Sequence, residues 1–247
     1  MIYGGFAKLY DSFMDDVDYP AWAGYVSALL KEGETPAKRV FECGCGTGSV
    51  SVELKREGYD ITSSDLSEKM LAAAAEKARS RGVKMPFIKA DMKNFELHRP
   101  VDAVIACCDC VNYLTADEDA LAFFNASYNA LKTGGKLLFD VSSAYKIGTV
   151  LKNNCFSDSR EDRAYFWTNS YDEKTRLIEM ELELFLRADG GLYERFSETH
   201  IQRAYTESEL ASLLKEAGFT NIRVYEALTF ASPRGESQRL QFTAEKQ

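Results

Sequence analysis

Apolar positions along the chain change their spacing repeatedly, and each change marks a new element. From Asp18 onward, Trp22, Tyr25, Val26, Leu29 and Leu30 recur at helical intervals, which predicts a helix with one apolar face. Asp18 stands where a cap belongs, and Pro20 falls in the first turn. Short apolar runs then alternate with helical patterns. Strands are predicted at Val40 and Phe41, from Tyr59 to Ser63, from Pro86 to Ala90, from Val101 to Cys107 and from Lys136 to Asp140. Between them lie helices through Val50, Val52 and Leu54 to Gly58, from Glu68 to Arg79, and from a Thr115-x-x-Glu118 capping box to Leu131. Thr133-Gly134-Gly135 ends the last of these. This alternation predicts an α/β layer around a parallel sheet, with the strand Pro86 to Ala90 buried like its neighbours.

Beyond residue 150 the period becomes two. Ile178, Met180, Leu182, Leu184 and Leu186 alternate with Glu179, Glu181 and Glu183, the pattern of a half-buried antiparallel strand with an acidic solvated face. Asp189-Gly190-Gly191 supplies a turn, Tyr193 to Arg203 a returning strand, and Tyr165, Phe166 and Trp167 begin a third. A second capping box, Thr206-x-x-Glu209, opens a helix with Leu210, Leu213, Leu214 and Ala217 on its apolar face, stopped at Gly218. Asn221 to Tyr225 and Leu240 to Ala244 are the last strands. The predicted organisation is one α/β domain, residues 1–149 and 206–247, interrupted by an antiparallel β insertion at 150–205.

With 247 residues, 45% of them apolar, the chain can bury one sizeable core. Its net charge of −8, with no Lys/Arg run, disfavours nucleic acid and anionic membranes as partners. The six cysteines, at 43, 45, 107, 108, 110 and 155, sit in apolar surroundings without C-x-x-C spacing. They read as small buried hydrophobes in a reducing cytoplasm rather than as metal ligands. No stretch has the length of a membrane span or the character of a signal peptide.

The candidate chemistry centres on residues 40 to 51, where the first strand meets Gly44, Gly46 and Gly48 and then a helix. Missing β-carbons let the backbone turn sharply and let a ligand approach the free amides of the helix start. A dinucleotide-binding G-x-G-x-x-G would need glycine at 49, where this chain has Ser49. Asp65 ends the second strand, 17 residues past Gly48, where a carboxylate can accept both hydroxyls of a ribose. Ser67 serves better as the cap of the next helix.

Glu42-x-Gly44-x-Gly46-x-Gly48 resembles the first motif of the class I S-adenosylmethionine (SAM)-dependent methyltransferases, and most of the chain fits that family's layout. The resemblance implies a Rossmann-like fold: a seven-stranded, mostly parallel sheet with an antiparallel edge hairpin, plus the small β insertion as a substrate cap. It implies SAM as cofactor and S-adenosylhomocysteine as product. Glu42, Cys43, Gly44, Cys45, Gly46 and Gly48 would hold the methionine end. Asp65 and Leu66 would meet the ribose side, Asp91 and Met92 the adenine, and Cys107 would line the same site. Residues 1–33 resemble a helical lid rich in aromatics such as Phe6, with Tyr10 and Trp22 as its cofactor contacts.

The loop after the fourth strand, Cys108-Asp109-Cys110-Val111-Asn112-Tyr113, is the methyl-transfer mouth under this resemblance. It is not Asn-Pro-Pro-Tyr, so it departs from the enzymes that act on amides or base amino groups. Asp109, Asn112 and Tyr113 are candidates for orienting a substrate, although Asn112 could equally satisfy loop backbone. Of the two histidines, His98 reads as a bystander in a charged loop, and His200 as a surface residue of the cap with a second option as a substrate contact. The expected activity is in-line methyl transfer to a small-molecule acceptor. A protein acceptor, a non-catalytic SAM-binding module and a nicotinamide oxidoreductase stay open at this point, as do the methylated atom and the oligomeric state.

Overall fold

A computed structural model describes residues 10–15, 17–33 and 36–247, apart from the side chains of Tyr10 and Ser12. The expectations for Phe6 and for the Tyr10 ring therefore lie outside the described residues. The elements in chain order are α1 (Tyr10–Phe13), α2 (Tyr19–Lys31), β1 (Arg39–Cys43), α3 (Ser49–Arg56), β2 (Asp60–Asp65), α4 (Glu68–Ser80), β3 (Phe87–Lys89), β4 (Val101–Ala106), α5 (Asp117–Ala130) and β5 (Leu131–Ser142). They continue as β6 (Cys155–Ser159), β7 (Arg163–Asp172), β8 (Leu177–Arg187), β9 (Tyr193–Arg203), α6 (Glu207–Glu216), β10 (Thr220–Glu226) and β11 (Arg239–Glu245).

Seven strands form one sheet in the order β10-β11-β5-β4-β1-β2-β3. The five from β5 to β3 are mutually parallel, while β11 runs antiparallel to β5 and β10 antiparallel to β11. Strand order reverses between β1 and β4, the kind of switch point at whose carboxyl edge ligands bind in open α/β sheets, and the glycine loop follows β1 there. Because β11 is antiparallel, its first residue, Arg239, pairs with Ser142 at that same carboxyl edge.

Alternate residues of the strands feed two apolar layers. Phe41, Val104, Phe139 and Phe242 pack with Phe123 and Phe124 of α5 and with Leu210 and Leu214 of α6. On the other face, Val40, Ile61, Ile105 and Leu138 meet Val26, Leu29 and Leu30 of α2 and Val50 and Leu54 of α3. Phe139 stacks on Phe242 with centroids 4.9 Å apart, and Phe41 on Phe95 at 4.8 Å. Each buried phenylalanine contributes roughly 1.5–3 kcal/mol, and together they fix the strand ends that carry the site.

The insertion is a four-stranded antiparallel meander, β6-β7-β8-β9, entered through a π-helical turn, Lys146–Leu151. The sequence predicts only three of these strands. β6 is missed because its residues, Cys-Phe-Ser-Asp-Ser, are mostly exposed and carry no apolar alternation. As expected, Glu179 and Glu181 face solvent.

Two other expectations are corrected. The third strand is not buried: it shrinks to Phe87–Lys89, at the sheet edge beside β2, and two of its three residues are exposed. The Thr115 capping box does not form, since α5 starts at Asp117 behind Ala116. The Tyr205 hydroxyl donates to the carbonyls of Leu114 and Ala116 and sets the entry of the chain instead. Asp117, Glu118 and Asp119 then supply the negative charge that suits the first helical turn. The predicted box at Thr206 and Glu209 is present in full.

Candidate functional site

The three loop glycines all have positive φ, 65°, 53° and 74°, but for different reasons. A β-carbon on Gly44 would lie 2.9 Å from Cys110 Cβ, and one on Gly48 would lie 3.0 Å from Ala74 Cβ, so these two permit close packing. Among the described residues, a β-carbon on Gly46 would meet no atom within 4 Å. The middle glycine therefore borders open space, where a ligand can reach the backbone.

Asp65 closes the other side of that space. Its Oδ2 accepts from the Gly46 amide at 2.9 Å and its Oδ1 from the Ser67 amide at 2.8 Å. Each carboxylate oxygen retains capacity for a further donor. Burial raises its pKa, partly countered by these amides. The next residue, Leu66, is 64% exposed, an apolar surface at the tip of β2. Asp91 follows β3, with its Oδ1 accepting from the Lys93 amide at 2.9 Å, and Met92 packs partly into the core.

Glu42, Cys43 and Cys107 lie beneath this surface rather than on it. Glu42 is buried, with its Oε2 accepting from the hydroxyls of Ser51 and Ser63. Desolvation pushes its pKa up to about 7, against those hydrogen bonds. Cys43 and Cys107 are buried thiols, whereas Cys45 is half-buried, and its amide donates to Ser64 O at 2.9 Å. Trp22 is likewise buried in α2. Lys77 of α4 was not singled out by sequence, yet its ammonium joins Thr47 Oγ1 at 2.8 Å to Asp11 at 2.7 Å and ties the segment around α1 to the glycine loop.

At the mouth, Cys108 and Asp109 take left-handed backbone conformations, φ 60° and 53°. Such a conformation costs roughly 1–2 kcal/mol per non-glycine residue. Both amides donate to the fully buried Asp140 carboxylate, at 2.7 and 3.0 Å, and charge-assisted bonds of about 1.5–3 kcal/mol each offset that cost. Arg239 Nη1 donates to Asp109 at 3.0 Å and to Asp140, and its guanidinium lies 5.6 Å from the Trp22 ring centroid. Burial pushes Asp109 up, but Arg239 and Lys146 hold its pKa below the ordinary value. Gln202 of the cap and Ser142 complete its partners.

Asn112 is fully buried. Its Nδ2 donates to Ser142 O and Arg203 O, at 3.0 and 2.9 Å, and its Oδ1 accepts from the Ser142 amide at 2.9 Å. These are backbone partners: the side chain braces the loop after β4 to β5 and to β9 of the insertion. His200 is not a surface residue either. The alternation along β9 buries it with Glu198 and Gln202, and its Nδ1 lies 3.0 Å from the Tyr113 hydroxyl. Desolvation lowers its pKa to about 4, so the ring is neutral at neutral pH. His98 is exposed. A separate concavity of about 490 Å³, between residues 93–97 and α5, contains none of these groups.

The methyltransferase domain family matches residues 40–135, from β1 and the glycine loop through α5 into β5. A protein of Geobacillus sp. (strain WCH70), provisionally named as a methyltransferase, is 37% identical over 247 residues, all of both chains. A protein of Bacillus subtilis (strain 168) with the same provisional name is 37% identical over 249 residues, covering 100% of this chain and 98% of its own. The crystal structure of a SAM-dependent methyltransferase from Clostridium acetobutylicum ATCC 824 superposes with a TM-score of 0.89 at 30% identity, over 99% of this chain and 98% of the other. Identity that runs end to end, on a sheet whose order reverses above an open glycine loop, makes this chain a member of the class I SAM-dependent methyltransferase family.

Proposed function

We propose that this SAM-dependent methyltransferase acts on a small-molecule acceptor held between the glycine loop and the β cap. The observation that carries the reading is the open space at Gly46 bordered by a carboxylate with remaining acceptor capacity at Asp65. These residues fit the cofactor: Gly46 gives backbone access to its methionine end, Asp65 accepts from the ribose hydroxyls, Leu66 offers apolar surface to the base, and Asp91 accepts from the exocyclic amine. When bound, SAM supplies an electrophilic methyl group on a sulfonium. The chain's own task is to exclude water and align the acceptor for in-line displacement.

Tyr113 is the substrate-facing candidate, with His200 fixing its hydroxyl from the cap side. A neutral His200 with a folded pKa of about 4 is a weak base, so an amine acceptor enters as the free base. Support for a small acceptor comes from relatives. A dTDP-amino-sugar N,N-dimethyltransferase of Streptomyces venezuelae is 25% identical over 217 residues, and a glycine/sarcosine N-methyltransferase of Halorhodospira halochloris is 31% identical over 140. Six free cysteines support a reducing, cytoplasmic setting.

Calorimetric titration with S-adenosylhomocysteine, beside NADH, tests the cofactor reading. Tight product binding is expected, weakened about 100-fold or more in Asp65→Ala through loss of two charge-assisted hydrogen bonds. Unchanged affinity in that variant removes the ribose role, and NADH binding alone overturns the site. Turnover of amine or hydroxyl compounds, scored by homocysteine-product release, then identifies the acceptor.

A further inference from the structure

The polar groups at the mouth are unequally committed. Asp140 accepts from the Cys108 amide on one oxygen and from the Asp109 amide and Arg239 on the other. Asp109 accepts from Arg239 on Oδ1 and from Ser142 and Gln202 on Oδ2. Every carboxylate oxygen in the cluster thus has a donor, but the donors are not all matched. Arg239 commits only Nη1, and among the described residues no acceptor meets its Nε or Nη2. Those two nitrogens form the planar edge that takes a carboxylate or a phosphate through parallel hydrogen bonds. A quarter of the side-chain surface, 25%, remains exposed, so a ligand can reach it.

Lys146 adds a second uncommitted donor. It opens the π-helical turn four residues past Ser142, with its amide on Ser143 Oγ at 3.0 Å. Irregular turns of this kind recur at functional sites. Among the described residues its ammonium has no hydrogen bond or ion pair. Burial and then the Arg239 charge lower its pKa, while Asp109 and Asp140 oppose them, so the amine lies in the field of the same cluster. Two carboxylates balance Arg239 and Lys146, and the cofactor's sulfonium adds one further positive charge. A neutral acceptor packed here would desolvate the Arg239 edge and the ammonium without replacing water, and a cationic one would be repelled.

We propose that Arg239 and Lys146 form an anion-recognition subsite, and that the acceptor of this methyltransferase carries a carboxylate or a phosphate group. The inference rests on the methyl-transfer reading above and names the substrate class of that same mouth. Arg239 also holds the loop through Asp109 and Asp140, so Lys146 is the position to vary.

Trp22, under Arg239, is a built-in reporter. The chain has two tryptophans, so fluorotryptophan labelling gives two fluorine NMR signals, assigned with Trp167→Phe. The labelled protein is titrated with acetate, inorganic phosphate and acetamide at constant ionic strength, with and without S-adenosylhomocysteine. Acetate or phosphate is expected to shift the Trp22 signal saturably, and the one that does tells carboxylate from phosphate; acetamide has no effect. Lys146→Met should weaken that response about 10-fold or more, and Lys146→Arg should keep it within about 3-fold, because only charge is required. No saturable shift with either anion below about 100 mM, an equal response to acetamide, or an unchanged response in Lys146→Met overturns the subsite. Calorimetry on the same samples separates the two readings: intact homocysteine-product binding without an anion response removes the subsite alone, whereas absent product binding removes the cofactor site.

Discussion

Replacing Glu42 by Gln should stabilise the protein at neutral pH and leave it unchanged in acid. The carboxyl is buried on two serine hydroxyls, and burial raises its pKa from 4.5 to about 7. Between these values the folded state binds more protons than the unfolded one, so this group's contribution to stability falls as pH rises through the window. At about 1.36 kcal/mol per pKa unit the full loss is on the order of 3 kcal/mol, reached above pH 7. Glutamine keeps the shape and both hydroxyl partners but carries no charge. Urea unfolding of the two proteins from pH 4 to 8 should give equal stabilities at the acid end and a gap opening to roughly 2–3 kcal/mol at the other. A gap that is independent of pH, or that opens toward acid, refutes the argument that desolvation dominates at Glu42.

His200→Gln should do the reverse. The folded pKa of about 4 lies below the ordinary 6.5, so the wild-type contribution rises with pH across that interval, and the variant should lose this slope in the same urea series. Asn112→Ala removes three buried hydrogen bonds and should cost about 2–4 kcal/mol in unfolding free energy; an effect on turnover with full stability would return Asn112 to the substrate shell. Gly44→Ala and Gly46→Ala should separate packing from binding. Alanine at 44 crowds Cys110 and lowers Tm more, whereas at 46 it meets no atom of the described residues and should chiefly weaken homocysteine-product binding in calorimetry.

The elements that local chemistry specifies were legible in the chain. The alternation along Leu177–Arg187, the Asp18, Ser67 and Thr206 caps and the position of Asp65 at the end of β2 all follow from neighbours a few residues away. The same local logic misplaced the start of α5, because a tyrosine 89 residues further on, Tyr205, holds the Ala116 carbonyl. β6 escaped because an exposed edge strand needs no apolar period.

At the site, the sequence by itself determined which residues the cofactor reading rests on: a loop of three glycines after the first strand, and Asp65 at the end of the second, one βαβ step on. The surroundings of the loop after β4 were decided by tertiary structure. Arg239 reaches the mouth only because β11 is antiparallel, which brings the start of one strand to the end of five others. Asp140 becomes the anchor of two left-handed residues only once β4 and β5 are neighbours. His200 changes from an apparent surface residue to a buried partner of Tyr113 because the insertion packs one face of β9 against the loop after β4. Each of these contacts joins residues far apart in sequence, and no local period encodes which distant group a polar side chain will meet.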